Sequence, residues 1–124
     1  MRRDEFATKI REIVGEDPRY REEAYHFVAD AVSFTAKRAR QSERGKVRHI
    51  RGQELLEGIS DSAKEKFGAL ALDVLAEWGI TRTEDFGQIV FVMVRSGLLG
   101  ASEEDKPEDF ADGYDFREVF LKPY

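Results

Sequence analysis

The amino-acid sequence predicts a single all-α domain of five to six helices packed around a central apolar helix at about residues 81–96. Apolar residues recur at helical spacings of three and four through most of the chain, only 3 of the 124 residues are proline, and no low-complexity tract interrupts the pattern. A chain of this length is enough for one ordinary domain with its own core. We therefore expect residues 1–124 to form one helical domain without an internal linker.

The first two helices are predicted from their apolar stripes. The first covers about residues 4–14, and Gly15 follows where a left-handed residue often ends a helix. The second covers about residues 18–40. Its stripe consists of Tyr20, Ala24, Phe27, Val28, Ala31, Val32 and Thr35.

Glycine and capping patterns predict the next two helices. A short third helix opens near Gly52 and closes around Gly58. The fourth runs to Trp78 and starts where Ser62 and Glu65 have the spacing of a capping box. Its apolar stripe consists of Ala63, Phe67, Leu70, Ala71, Val74, Leu75 and Trp78.

The remaining helices are less regular in sequence. The apolar run at 89–94 fits a buried strand as well as a helix by composition alone. A capping-box pattern, Thr81 followed by Glu84, and continued helical spacing favour a helix over 81–96. A short terminal helix is predicted with Asp115 and Glu118 at its cap. It carries Phe116, Val119 and Phe120, while Phe110 and Tyr114 are expected to anchor this part of the chain.

Charge is distributed very unevenly along the sequence. Residues 37–51 carry a net charge of +6, and because the whole chain carries −5, the other 109 residues carry −11. We predict a basic interhelical loop at about 37–51 and an acidic C-terminal segment at about 103–124. The candidate binding residues are Lys37, Arg38, Arg40, Arg44, Lys46, Arg48, His49 and Arg51. A concentrated positive patch attracts anionic groups whatever the net charge of the protein.

Three interpretations of the basic loop remain open. In the first, the chain is a noncatalytic protein-interaction or scaffolding domain, and the loop meets an acidic protein or the acidic segment of this chain or a second copy. In the second, the loop contacts RNA or a phosphate backbone, without base stacking because residues 37–51 contain no aromatic side chain. In the third, it is a solvated connection without a partner. Sequence-specific DNA binding is not expected, because the helix after Gly79 would present apolar residues where base-reading groups are needed.

Signatures of enzymes, cofactors and metals are scarce. Asp85-Phe86-Gly87 matches the metal-binding tripeptide of protein kinases, but the other kinase motifs are absent. The chain has no cysteine and no Gly-x-Ser-x-Gly motif, so a nucleophile pattern is missing. The acids Glu54 and Glu57 leave open a further hypothesis, that the chain is a small enzyme with carboxylates as its acid and base. No catalytic residue and no cofactor are predicted.

Metal binding and membrane insertion are not expected either. Glu22, His26 and Asp30 recur at four-residue steps, but this face points away from the apolar stripe of its helix. The longest apolar run, at 89–94, is far shorter than the about 20 residues that span a bilayer. The N-terminal residues lack the apolar core of a secretory signal. We therefore expect a cytoplasmic protein.

Several motifs spread over most of the chain carry a family resemblance. They are the segment 49–59 (HIRGQELLEGI), Phe67-Gly68, Val74-Leu75, Trp78-Gly79-Ile80, Asp85-Phe86-Gly87, Ile89-Val90-Phe91 and Tyr114-Asp115-Phe116. In these motifs the sequence resembles a family of conserved hypothetical bacterial proteins known from planctomycete and verrucomicrobial genomes. The resemblance implies kinship and brings no activity, cofactor or catalytic residue with it.

Overall fold

The computed structural model describes residues 3–42, 51–100, 110–111 and 113–121. Within these ranges the chain is helical and contains no strand, which confirms the all-α fold class. The helices are α1 (Arg3–Glu16), α2 (Glu22–Ser42), α3 (Gly52–Phe67), α4 (Ala71–Glu77), α5 (Thr83–Arg95) and α6 (Phe116–Leu121), with a short 3₁₀-helix at Gly68–Leu70 between α3 and α4. None of the described helices is long and apolar enough to cross a membrane.

The pair α2 and α3 forms the most extensive helix contact of the bundle. Gly58 of α3 lies so close to Thr35 of α2 that a Cβ atom on the glycine would overlap the threonine hydroxyl. The buried Thr35 hydroxyl donates a hydrogen bond of 2.7 Å to the Ala31 carbonyl, so its polar group is satisfied inside the core. The missing side chain at Gly58 therefore sets how closely these two helices approach.

The predicted helix end at Gly58 is wrong. α3 continues without interruption from Gly52 to Phe67, and Ser62 lies in its interior instead of opening a new helix. The chain turns at Gly68, whose φ of +53° lies in the left-handed region that favours glycine. A glycine that ends a helix and a glycine that admits a neighbouring helix look alike in a single sequence.

Helix α5 is apolar on most of its circumference. Phe86, Ile89 and Met93 are fully buried, and the helix packs against α2. Phe91 and Val92 are half-buried, so the opposite side of the helix is more open than the buried face. This distribution agrees with a helix that supplies much of the core.

The cap of α5 uses a different acid from the one predicted. The helix starts at Thr83, and the capping carboxylate belongs to Asp85 instead of Glu84. Asp85 Oδ2 accepts the backbone N–H of Thr81 at 2.9 Å and that of Arg82 at 3.3 Å. A negative group here also suits the positive end of the helix dipole.

The C-terminal segment completes the core. Phe110, Phe116 and Phe120 are buried, and the ring of Phe116 stacks on that of Phe86 with centroids 5.5 Å apart. A Cβ atom on Gly87 would come within 2.8 Å of Phe110, so this glycine gives the segment room to pack closely. The rings of Phe110, Phe116 and Phe120 are therefore part of the core.

Two hydrogen bonds fasten this segment to the helices. The Gly113 N–H donates to the Thr83 hydroxyl oxygen at 3.0 Å, at the start of α5. The Tyr114 hydroxyl donates to the Leu56 carbonyl of α3 at 3.1 Å. The segment therefore bridges α3 and α5.

Candidate functional site

The predicted basic residues occupy several settings. Lys37, Arg38 and Arg40 lie in the last turns of α2, because this helix continues to Ser42 and the interhelical connection begins later than predicted. Arg51 is the N-cap residue of α3. The other four predicted binding residues lie outside the described residues. They are Arg44, Lys46, Arg48 and His49.

The three cations on α2 differ in whether an acidic side chain pairs with them. Arg38 pairs with Asp61 of α3 at 2.7 Å, and its guanidinium lies 5.1 Å from the centre of the Phe34 ring. Lys37 and Arg40 are exposed, and neither forms an ion pair with any residue that the structure describes. Lys37 and Arg40, like Arg51 at the start of α3, are therefore exposed cations of the basic stretch that have no ion pair with a described residue.

A cleft beside α4 and α6 is a site that sequence analysis missed. It consists of two cavities of about 380 and 430 Å³ that share Thr81, Asp115 and Phe116. Its apolar lining is Leu72, Ala76, Ile80 and Phe116. Its charged lining is Asp73, Arg82, Glu84, Asp115 and Arg117. Clefts of roughly 300 to 1,000 Å³ are typical of ligand sites in proteins.

One wall of the cleft is fixed by the turn between α4 and α5. Gly79 has a φ of +92°, and a Cβ atom there would overlap the carbonyl oxygen of Arg19. The Ile80 N–H donates to the Leu75 carbonyl at 2.8 Å, and the Arg21 N–H donates to the Trp78 carbonyl at 3.2 Å. This turn therefore lies directly against the turn that precedes α2.

The opposite wall is fixed by the cap of α6. Asp115 Oδ1 accepts the backbone N–H of Arg117 at 2.9 Å and that of Glu118 at 3.2 Å, as its position in the sequence predicted. The Asp115 carboxylate is thus committed to the helix terminus. Of the acids that line the cleft, Asp115 therefore has a structural role as the cap of α6.

The acids considered as metal ligands have other neighbours. Glu22 lies 3.6 Å from Arg11 and 3.5 Å from His26, and Asp30 lies 3.8 Å from Lys66. No group of three potential ligands among the described residues is placed to hold a metal ion.

The carboxylates proposed for an enzyme, Glu54 and Glu57, lie in the first turns of α3. The side chain of Glu57 is exposed to solvent, whereas an acid–base pair usually works in a shielded site.

Comparison with known proteins gives no relative. No protein-family model, no curated protein and no solved structure matches the chain. The resemblance to conserved hypothetical bacterial proteins stays a prediction, and functional inference rests on the geometry of the basic end of α2 and of the cleft.

Proposed function

We propose that the chain is a noncatalytic protein-interaction domain that binds a segment of a partner protein in the cleft beside α4 and α6. The observation that carries this proposal is a cleft lined both by apolar side chains and by charged groups of both signs. Among the described residues, Asp73, Arg82 and Arg117 form no ion pair. Elsewhere on the described surface opposite charges do pair, as in Arg21 with Glu77 at 3.1 Å.

This combination matches the general anatomy of protein interfaces. An apolar centre gives most of the binding free energy, and a polar rim gives orientation and specificity. We expect the bound segment to place one apolar side chain over Ala76 and Phe116. Acidic and basic residues beside that side chain would meet Arg117 and Asp73.

The cleft proposal is tested by selecting displayed random peptides against the purified domain and measuring the affinity of the selected peptides by calorimetry. Ala76→Arg places a long charged side chain at the floor of the cleft and should weaken binding at least tenfold. Gln88→Arg adds the same side chain at an exposed position of α5 outside the cleft lining and should leave affinity unchanged. Peptides that bind both variants equally well would contradict the proposal.

The second candidate function is contact with RNA or another phosphate backbone, and the exposure of Lys37 and Arg40 favours it. Lys37→Ala with Arg40→Ala should weaken binding of a labelled RNA homopolymer and flatten its salt dependence, measured by fluorescence anisotropy at two salt concentrations. Arg95→Ala, at the exposed end of α5, serves as the matched control. Equal RNA affinity in the double variant and the control would remove this candidate.

A cytoplasmic location is part of the proposal. The sequence contains no cysteine, so the fold needs no disulfide and is suited to a reducing compartment. Localisation of a fluorescently tagged chain in intact cells tests it.

A further inference from the structure

One side chain on the described surface breaks the usual pattern of burial. Leu70, at the end of the 3₁₀-helix, is 62% exposed and is the one large apolar residue in the described ranges that is exposed to this degree. The sequence pattern predicts a place for it in the apolar stripe of a continuous helix. Because the chain turns at Gly68, Leu70 leaves that stripe and projects from the surface. A single exposed leucine is common, so its surroundings decide whether it has a role.

Leu70 lies next to the cleft. Asp73 lines the cleft and follows Leu70 by three residues, which is about one helical turn. The 3₁₀-helix and α4 both contact α6, which forms the other side of the cleft. An apolar projection and an apolar hollow therefore share one edge of the molecule.

Such a surface has the property that a two-fold dimer requires. In an isologous contact the same patch serves both subunits, so a projection on one copy must meet a hollow on the other, and the reverse. Leu70 supplies the projection. Leu72, Ala76, Ile80 and Phe116 supply the apolar hollow.

We propose that two copies of this chain associate across α4, with Leu70 of each copy inserted into the cleft of the other. This inference rests on the proposed function of the cleft and names its partner as a second copy. Charge complementarity supports that choice. Asp73 accompanies Leu70 toward the opposite cleft, where Arg117 of the partner subunit has no ion pair with a described residue. The two-fold axis repeats this pair, so each dimer gains two.

The first test is the molar mass of the full chain in solution, measured by analytical ultracentrifugation over a wide concentration range. The expected result is a reversible rise from the 14.2 kDa monomer toward twice that mass. Leu70→Asp should weaken association at least tenfold. Because Leu70 is exposed, the variant should keep its helical circular dichroism. Gln88→Asp, which adds the same charge elsewhere, should associate like the unaltered chain.

A charge exchange tests the orientation of the two copies. Asp73→Arg and Arg117→Asp should each weaken association several-fold, because each places like charges opposite one another. The double variant restores opposite charges across the interface and should recover most of the association. A monomer at every concentration, a dimer that tolerates Leu70→Asp, or a double variant no better than its single parents would overturn the proposal.

The outcome separates this inference from the function on which it rests. If the chain is monomeric and selected peptides still bind in a way that depends on Ala76, the cleft binds a different protein and only the dimer proposal fails. If the chain is monomeric and no peptide binding depends on Ala76, both proposals fail. If peptides bind and dissociate the dimer, both proposals are supported at the same site.

Discussion

The hydroxyl group of Tyr20 donates a hydrogen bond of 2.6 Å to Asp85 Oδ1, and these two residues are 65 positions apart in the sequence. The second oxygen of the same carboxylate accepts the backbone N–H groups of Thr81 and Arg82. One acidic side chain therefore holds the turn before α2 and the start of α5 together. It also helps to fix the turn that forms a wall of the cleft.

Removing either partner should destabilise the fold. We expect Tyr20→Phe to lower the free energy of unfolding by about 1 to 2 kcal/mol, because a hydrogen bond to a charged group is lost. Asp85→Ala should lower it by about 2 to 4 kcal/mol, because the helix cap is lost as well. Urea unfolding of both variants and of the double variant measures the coupling. Strictly additive effects would show that the hydrogen bond contributes nothing.

Stability should fall at alkaline pH for a specific reason. Burial is the main cause that raises the pKa of Tyr20 and Tyr114 above the ordinary value of 10.0, and the bond to Asp85 raises that of Tyr20 further. Above pH 10 the unfolded chain loses these protons while the folded chain keeps them, so rising pH favours unfolding. The free energy of unfolding should fall by up to about 1.4 kcal/mol per pH unit for each tyrosine.

The control for this pH effect is the variant Tyr20→Phe with Tyr114→Phe, which has no phenol at either position. Urea unfolding between pH 8 and 11 should show a shallower decline for this variant than for the unaltered chain. Parallel declines would mean that other groups cause the alkaline destabilisation.

Two glycine substitutions should have opposite effects on stability, because Gly58 touches Thr35 whereas Gly15 has free space around it. Gly58→Ala should destabilise the protein by about 2 kcal/mol or more, because the added methyl group overlaps Thr35 and forces α2 and α3 apart. Gly15→Ala, in α1, meets no atom within 4 Å and should stabilise by about 0.5 to 1 kcal/mol through helix propensity. The melting temperatures of the two variants and of the unaltered chain, measured by thermal unfolding, test both expectations. A neutral Gly58→Ala would show that the two helices need not approach so closely.

The C-terminal segment should be required for a fixed core. Phe116 is 5% exposed and contacts the rings of Phe86, Tyr114 and Phe120. Phe116→Ala should cost about 3 to 5 kcal/mol, a large part of the stability of a domain of this size. Near-ultraviolet circular dichroism and urea unfolding measure the loss. Phe34→Ala, at a half-buried position, should cost clearly less, and equal losses would contradict a special role for Phe116.

Local patterns predicted most of the fold. The helices α1, α2, α5 and α6 begin or end within a few residues of their expected positions, because apolar periodicity and capping residues act over one or two turns. The boundary between α3 and α4 was misplaced because Gly58 and Gly68 differ only in what surrounds them. Thr35, which gives Gly58 its role, belongs to another helix, and no local pattern reveals that contact.

The candidate site shows the same division between local and long-range information. The charge of Lys37, Arg38 and Arg40 is visible in the sequence, but the pairing of Arg38 with Asp61 is not. The cleft forms where α4, the turn after it and the residues around Asp115 meet. None of these segments carries a sequence motif that marks a binding site. The cleft arises from the way the segments pack together, which no local pattern reveals.

The aromatic rings of the C-terminal segment also have a consequence for protein synthesis. Phe110, Phe116 and Phe120 emerge from the ribosome after the helices that they cover. We expect a nascent chain of about 100 residues to form much of its helix content while the ring of Phe86 still lacks its stacking partner. During that interval we expect the growing chain to expose apolar surface around Phe86, which the ring of Phe116 covers once this segment has docked.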